Sequence, residues 1–83
     1  MKPDPRLNKA VLDVVENQIR QLNPPATKET FDRLIREGHD HDEARRLIGC
    51  VVASEIIDIL KNMEPYDEAR YVAALRKLPE LPE

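Results

Sequence analysis

Residues 39–42 read His-Asp-His-Asp, which places two imidazoles and two carboxylates in four consecutive positions. Zn²⁺ and Ni²⁺ accept these ligand types. A His-x-His pair at a helix start rarely turns both rings toward one point, and acidic residues there also suit the positive end of the helix dipole. We therefore interpret Asp40 and Asp42 as helix-start residues and predict no metal site. The alternative is a metal held by His39, His41 and Asp42.

Other patterns that carry chemistry are missing from the sequence. It has no glycine-rich phosphate loop, no Ser-His-Asp grouping and no Cys-x-x-Cys pair. The single cysteine, Cys50, has no histidine on its own helix face, so we interpret it as a small packed side chain. A chain of 83 residues also has little room for a self-contained pocket. We expect no catalytic residues and no cofactor.

Composition narrows the class of protein further. The chain is 41% hydrophobic, which is too much for a disordered protein, and its 16 acidic residues outnumber 13 basic ones. We therefore expect no nucleic-acid partner. A helix-turn-helix DNA-binding motif is further disfavoured, because the helix that would contact the DNA begins with acidic residues. There is no run of about 18 apolar residues and no signal-like N-terminus. We expect no membrane partner, and the lone cysteine favours a cytoplasmic location.

Prolines and a glycine mark the ends of the first two predicted helices. Asp4-Pro5 has the residue types of an N-cap and a first helical position, and the helix continues to about Leu22. Asn23 can cap a second helix with Pro24 at its first position. That helix ends at Gly38, a residue that readily adopts the left-handed conformation found after a helix.

Two further helices follow in the sequence. Asp40 begins the third, and Glu43 completes an aspartate form of the capping box. The apolar pattern of this helix continues to about Lys61. A fourth helix follows Asp67 and ends at about Leu78, before a proline.

The whole pattern predicts an all-α fold, because strict alternation of apolar and polar residues is absent. We expect a compact, four-helix, bundle-like single domain over residues 1–83, with helix 3 longest and central. Its ordered core should span about residues 4–78, with a frayed tail at 79–83.

Helix 3 has two apolar stripes on opposite sides. The first comprises Ala44, Leu47, Ile48, Val51, Val52 and Ile59. A helix of this kind is either central in its bundle or part of an oligomer interface. Small residues one turn apart in the second stripe would let another helix approach closely. We expect both stripes to be covered, and we interpret the second as a helix-packing interface through which the chain forms a homodimer. This second stripe comprises Gly49, Ala53, Ile57 and Leu60, with Cys50 alongside.

Three polar residues fall among apolar positions. Asn8 and Gln18 lie inside the apolar arc of helix 1, and Glu55 lies in the first stripe of helix 3, between Val51 and Ile59. An unpaired carboxylate in that position would cost several kcal/mol. We predict that Glu55 is partly buried and bonded to Gln18; the alternative is that the stripe opens to solvent there.

Several short motifs together resemble a small bacterial helical family of unknown function. The resemblance implies histidines at the positions of Asn8, Leu12, Asp42 and Arg46, which would form two His-x₃-His pairs able to hold a transition metal. This chain departs at all four positions, so the implied metal site is not carried over. The motifs are Val15-Glu16-Asn17-Gln18, Asn23-Pro24-Pro25, Arg33-Leu34-Ile35-Arg36-Glu37-Gly38-His39-Asp40, Glu43-Ala44, Ile48-Gly49 and Pro65-Tyr66-Asp67-Glu68-Ala69-Arg70-Tyr71.

The substituted positions suggest polar contacts in place of a metal. Asp42 and Arg46 stand four residues apart with the acid first, which suits a helical ion pair. We expect contacts among Asn8, Asp42 and Arg46 to tie helix 1 to helix 3.

The sequence thus predicts a non-enzymatic cytoplasmic domain that acts by protein–protein association, through self-association along helix 3. An unidentified protein partner is compatible with the same surface. The alternative is a metal-binding or metal-sensing helical domain with a degenerate ligand set.

Overall fold

The computed structural model describes residues 5–82, without the side chains of residues 5–7, and this range holds four α-helices and no strand. The predicted all-α fold is confirmed, and the third helix is the longest, with 22 residues. Both the second and the third helix pack against every other helix. In the described range, none of the helices combines the length and apolarity needed to cross a bilayer. The helices are α1 (Pro5–Gln21), α2 (Pro25–Arg36), α3 (His41–Asn62) and α4 (Glu68–Lys77).

The start of α2 lies one residue later than predicted. Pro24 is extended, with φ −75° and ψ 153°, and its carbonyl accepts a hydrogen bond from the Thr27 N–H at 3.2 Å. Pro25 is the first helical residue, where a missing N–H costs nothing. No side chain caps this helix, so the prediction of an Asn23 cap is wrong. The cap predicted at Asp4 lies outside the described residues.

The other helix ends follow from local sequence. Gly38 has φ 104°, and the N–H of His39 donates to the Leu34 carbonyl at 3.1 Å, which closes α2 in a Schellman motif. The Asp40 carboxylate accepts from the Glu43 N–H at 2.7 Å at the start of α3. Asp67 accepts in the same way from the first turn of α4, at 3.2 Å.

The first stripe of α3 forms the centre of the core. Its residues pack against apolar side chains of the other three helices, and all but Ile59 are buried. The buried residues of this stripe are Ala44, Leu47, Ile48, Val51 and Val52. The other helices contribute Val11, Val15, Phe31, Leu34, Tyr71 and Leu75, together with Leu78 after α4.

The second stripe of α3 is covered by α1 only near Gly49. A Cβ added to this buried glycine would lie 3.3 Å from Cγ1 of Val11, so the two helices are in close contact there. Ala53 is half-buried, whereas Ile57 is 57% and Leu60 72% exposed. The single chain therefore leaves the end of this stripe uncovered, because no described helix lies over its last turns, and coverage by a second copy stays a prediction.

Candidate protein-association surface

Three helices meet at the side-chain amide of Gln18. Its Oε1 accepts a hydrogen bond from the Tyr71 hydroxyl at 2.7 Å and another from the Thr27 hydroxyl at 2.8 Å. Thr27 and Tyr71 are both buried. Burial also raises the pKa of Tyr71 to about 12, because the phenolate would lose its hydration. This junction holds α1, α2 and α4 together and leaves Gln18 no role in a surface site.

Glu55 is buried, with 7% of its surface exposed, and its partner is Arg70 of α4. Nη2 of Arg70 donates to Oε2 of Glu55 at 3.0 Å, and Nε donates to Oε1 at 3.1 Å. Donation of these hydrogen bonds to the Glu55 carboxylate raises the pKa of Arg70 above its ordinary value. The predicted bond to Gln18 is wrong, because the Glu55 carboxylate accepts its side-chain hydrogen bonds from Arg70 instead. The Glu55 and Gln18 side chains are thus both structural.

The ion pairs at the start of α3 differ from those predicted. Nη2 of Arg46 lies 2.7 Å from Oε1 of Glu43, and this hydrogen bond lowers the pKa of Glu43. Asp42 lies 3.7 Å from Nη1 of Arg45. The predicted Asp42–Arg46 pair is wrong because each arginine instead meets the acid three residues before it.

A different ion pair joins α1 to α3. Arg45 donates to the carboxylate of Glu16, while Asn8 is exposed and makes no side-chain hydrogen bond to Asp42 or Arg46 among the residues described. The expected polar tie among these three residues is therefore wrong. The Arg45 guanidinium also lies over the ring of Phe31 in α2, 5.3 Å from the ring centroid.

The histidines do not form a metal centre in the part of the chain that the structure covers. The His41 ring packs edge-on against Phe31, with 5.5 Å between ring centroids. No three histidine, cysteine or acidic side chains within residues 8–82 converge as metal ligands. The alternative set of His39, His41 and Asp42 is thus not assembled.

An open apolar groove of about 570 Å³ lies between α1 and α3. Val11 and Gly49 are its buried residues, and Ala53 is half-buried. Leu12 and Ile57 also line it, with 41% and 57% of their surfaces exposed. This surface, which we call the α1–α3 groove, contains three of the four residues predicted for the helix-packing interface; Leu60 lies further along α3.

The α1–α3 groove also gathers the four positions at which the family resemblance implies histidine. Asn8, Leu12, Asp42 and Arg46 all line it. Here leucine cannot bind a metal, and arginine carries a positive charge. The groove therefore presents apolar contact area bordered by charged side chains.

Comparisons with known proteins add no further constraint. No family model, curated protein or solved structure matches this chain. Two structural contacts were not predicted from the sequence, the Thr27–Gln18 hydrogen bond and the Arg70–Glu55 ion pair. A signal existed for Thr27, since it and Thr30 stand one turn apart on the apolar face of α2 and both are buried.

Proposed function

We propose that this domain acts by protein association and that the α1–α3 groove is the surface through which it self-associates. The observation that carries the proposal is the exposure of Ile57 and Leu60 in continuity with the groove. Contiguous apolar surface of this kind is typical of interaction sites, because burying it contributes about 25 cal/mol per Å².

The size of the chain is compatible with a dimer interface. A specific interface buries about 800 Å² on each partner, which is roughly a seventh of this chain's 5943 Å² surface. A helix of 22 residues is about 33 Å long, so α3 together with the edge of α1 can supply such a patch. The side chains needed at the centre of an interface are apolar, and those of the groove meet this condition.

Sedimentation equilibrium over a wide protein concentration range tests the proposal. The wild-type chain of 9.6 kDa should show a mass approaching twice that value as concentration rises. Ile57→Lys should remain a monomer, because it places an unpaired charge within the proposed apolar contact. Val14→Lys is the matched control: Val14 is also an exposed apolar residue but does not line the groove, so its association should match wild type.

Two outcomes would overturn the proposal. One is a wild-type chain that stays at monomer mass up to about millimolar concentration, well above the Kd of weak specific dimers. The other is a dimer that Ile57→Lys leaves intact while the circular dichroism spectrum and melting temperature of the variant match wild type.

A further inference from the structure

Six residues on the exposed face of α3 are spaced so that the intervals between them are the same when counted from either end of the helix. They follow one another at intervals of four, four, three, four and four positions. At about 100° per residue they fall within an arc of roughly 100°, which also contains Glu43 and Leu60, so they form one stripe. All but the last line the α1–α3 groove. The residues are Asp42, Arg46, Cys50, Ala53, Ile57 and Lys61.

We infer that two copies of the chain meet through this stripe with their α3 helices antiparallel about a twofold axis. This inference rests on the self-association proposed above and adds its geometry. A palindromic spacing places every residue of the stripe opposite another residue of the stripe when the partner helix runs in reverse. A twofold contact is self-complementary, which is the commonest symmetry of protein dimers.

Charge favours the antiparallel direction. Asp42 stands at one end of the stripe and Lys61 at the other, and both side chains are exposed. In the antiparallel pair each Asp42 faces the partner's Lys61, which gives two ion pairs by symmetry. A parallel pair in register would place like charges opposite each other at both ends, which is unfavourable.

The middle of the stripe suits close approach of the two helices. Cys50 of one copy faces the partner's Ala53, and both residues are small and half-buried in the single chain. Small side chains allow the axes to come near the short end of the usual range of 8–10 Å. Arg46 faces the partner's Ile57, and its aliphatic stem can cover that exposed side chain while the guanidinium stays in water.

Charge reversal tests this geometry. At low ionic strength, Asp42→Lys and Lys61→Asp should each raise the dimer Kd about tenfold, because each replaces two attractive contacts by two repulsive ones. The double variant Asp42→Lys with Lys61→Asp should return the Kd to within about threefold of wild type. Asp13→Lys, which makes the same change in charge outside the stripe, is the control and should leave the Kd unchanged.

The possible results separate the two claims. A wild-type monomer overturns self-association itself, whereas a wild-type dimer that neither reversal weakens overturns only the antiparallel arrangement. A double variant as weak as the single variants also overturns it. If a charge-reversed variant has a lower melting temperature than wild type, the neutral variants Asp42→Asn and Lys61→Gln replace it. Each should raise the dimer Kd about threefold, and an unchanged Kd would count against the geometry.

Discussion

Replacement of Tyr71 by phenylalanine should change stability in opposite directions at neutral and at high pH. The substitution keeps the buried ring and removes the hydroxyl that donates to Gln18 Oε1 at 2.7 Å. A hydrogen bond of this kind contributes about 1 kcal/mol. Thr27 still donates to the same oxygen, so Gln18 keeps a partner. We expect the free energy of unfolding at pH 7 to be about 1 kcal/mol below that of wild type.

The difference in free energy of unfolding between wild type and Tyr71→Phe changes sign in alkaline solution, because the Tyr71 hydroxyl can lose its proton. Burial raises the pKa of Tyr71 to about 12, against an ordinary value near 10 in the unfolded chain. Between these pH values the unfolded chain binds fewer protons than the folded chain, so the free energy of unfolding falls as pH rises. The stabilisation that comes from this raised pKa is fully present below about pH 10. It is lost between about pH 10 and about pH 12, at up to roughly 1.4 kcal/mol per pH unit. Phenylalanine has no such proton.

Wild type and Tyr71→Phe should therefore be equally stable at about pH 10.7, where the alkaline loss in wild type reaches about 1 kcal/mol and matches the missing hydrogen bond. Urea unfolding followed by circular dichroism between pH 7 and about 11.5 measures this difference. Tyr66→Phe is the matched control, since Tyr66 is half-exposed and its ring centroid lies 6.1 Å from that of Tyr71. This control should retain the alkaline loss due to Tyr71. A constant difference between wild type and Tyr71→Phe across the whole range would refute the reasoning.

Three other predictions concern packing, charge and metal. The free energy of unfolding of Gly49→Ala, measured in urea, should lie within about 1 kcal/mol of the wild-type value. The reason is that a gain in helix propensity of about 1 kcal/mol opposes the tight 3.3 Å contact between the new Cβ and Val11 Cγ1 of α1. Gly49→Leu should lose about 2 kcal/mol or more by overpacking, and equal stability of the two variants would contradict this close contact. Arg70→Met should lower the melting temperature by about 10 °C or more, because it leaves the buried carboxylate of Glu55 without its partner. Glu55→Leu should lower it by less than half as much, because the arginine that loses its partner is partly exposed. Calorimetric titration with Zn²⁺ should show no binding, and a saturable signal that His39→Ala or His41→Ala abolishes would contradict the unassembled ligand set.

Local features of this fold were predictable from sequence, because their cause lies within one turn of the chain. The Asp40 and Asp67 caps and the left-handed Gly38 each depend on residues three or four positions away. The start of α2 was less well determined, since Pro24 and Pro25 both suit the first helical position and the structure uses the second.

Contacts between helices were not predictable in the same way. Rotation along a helix indicates that Glu55 lies on a buried face, but it does not indicate which helix supplies a partner. Arg70 lies 15 residues further along, beyond a turn whose direction no local pattern determines. The Gln18–Tyr71 bond joins residues 53 positions apart. The α1–α3 groove has the same origin: Leu12 and Ile57 are apolar in any arrangement, and only the packing of α1 at Gly49 leaves them exposed beside each other.

The shared amide oxygen of Gln18 also bears on how the molecule opens. If either α2 or α4 detaches, a buried hydroxyl loses its acceptor, and the same loosening of α1 weakens the hold on the remaining helix. The mid-helix amides of these three helices therefore belong to one cooperative unit and exchange their hydrogens with solvent together. The last turn of α3, beyond Leu60, lies outside that unit and exchanges sooner.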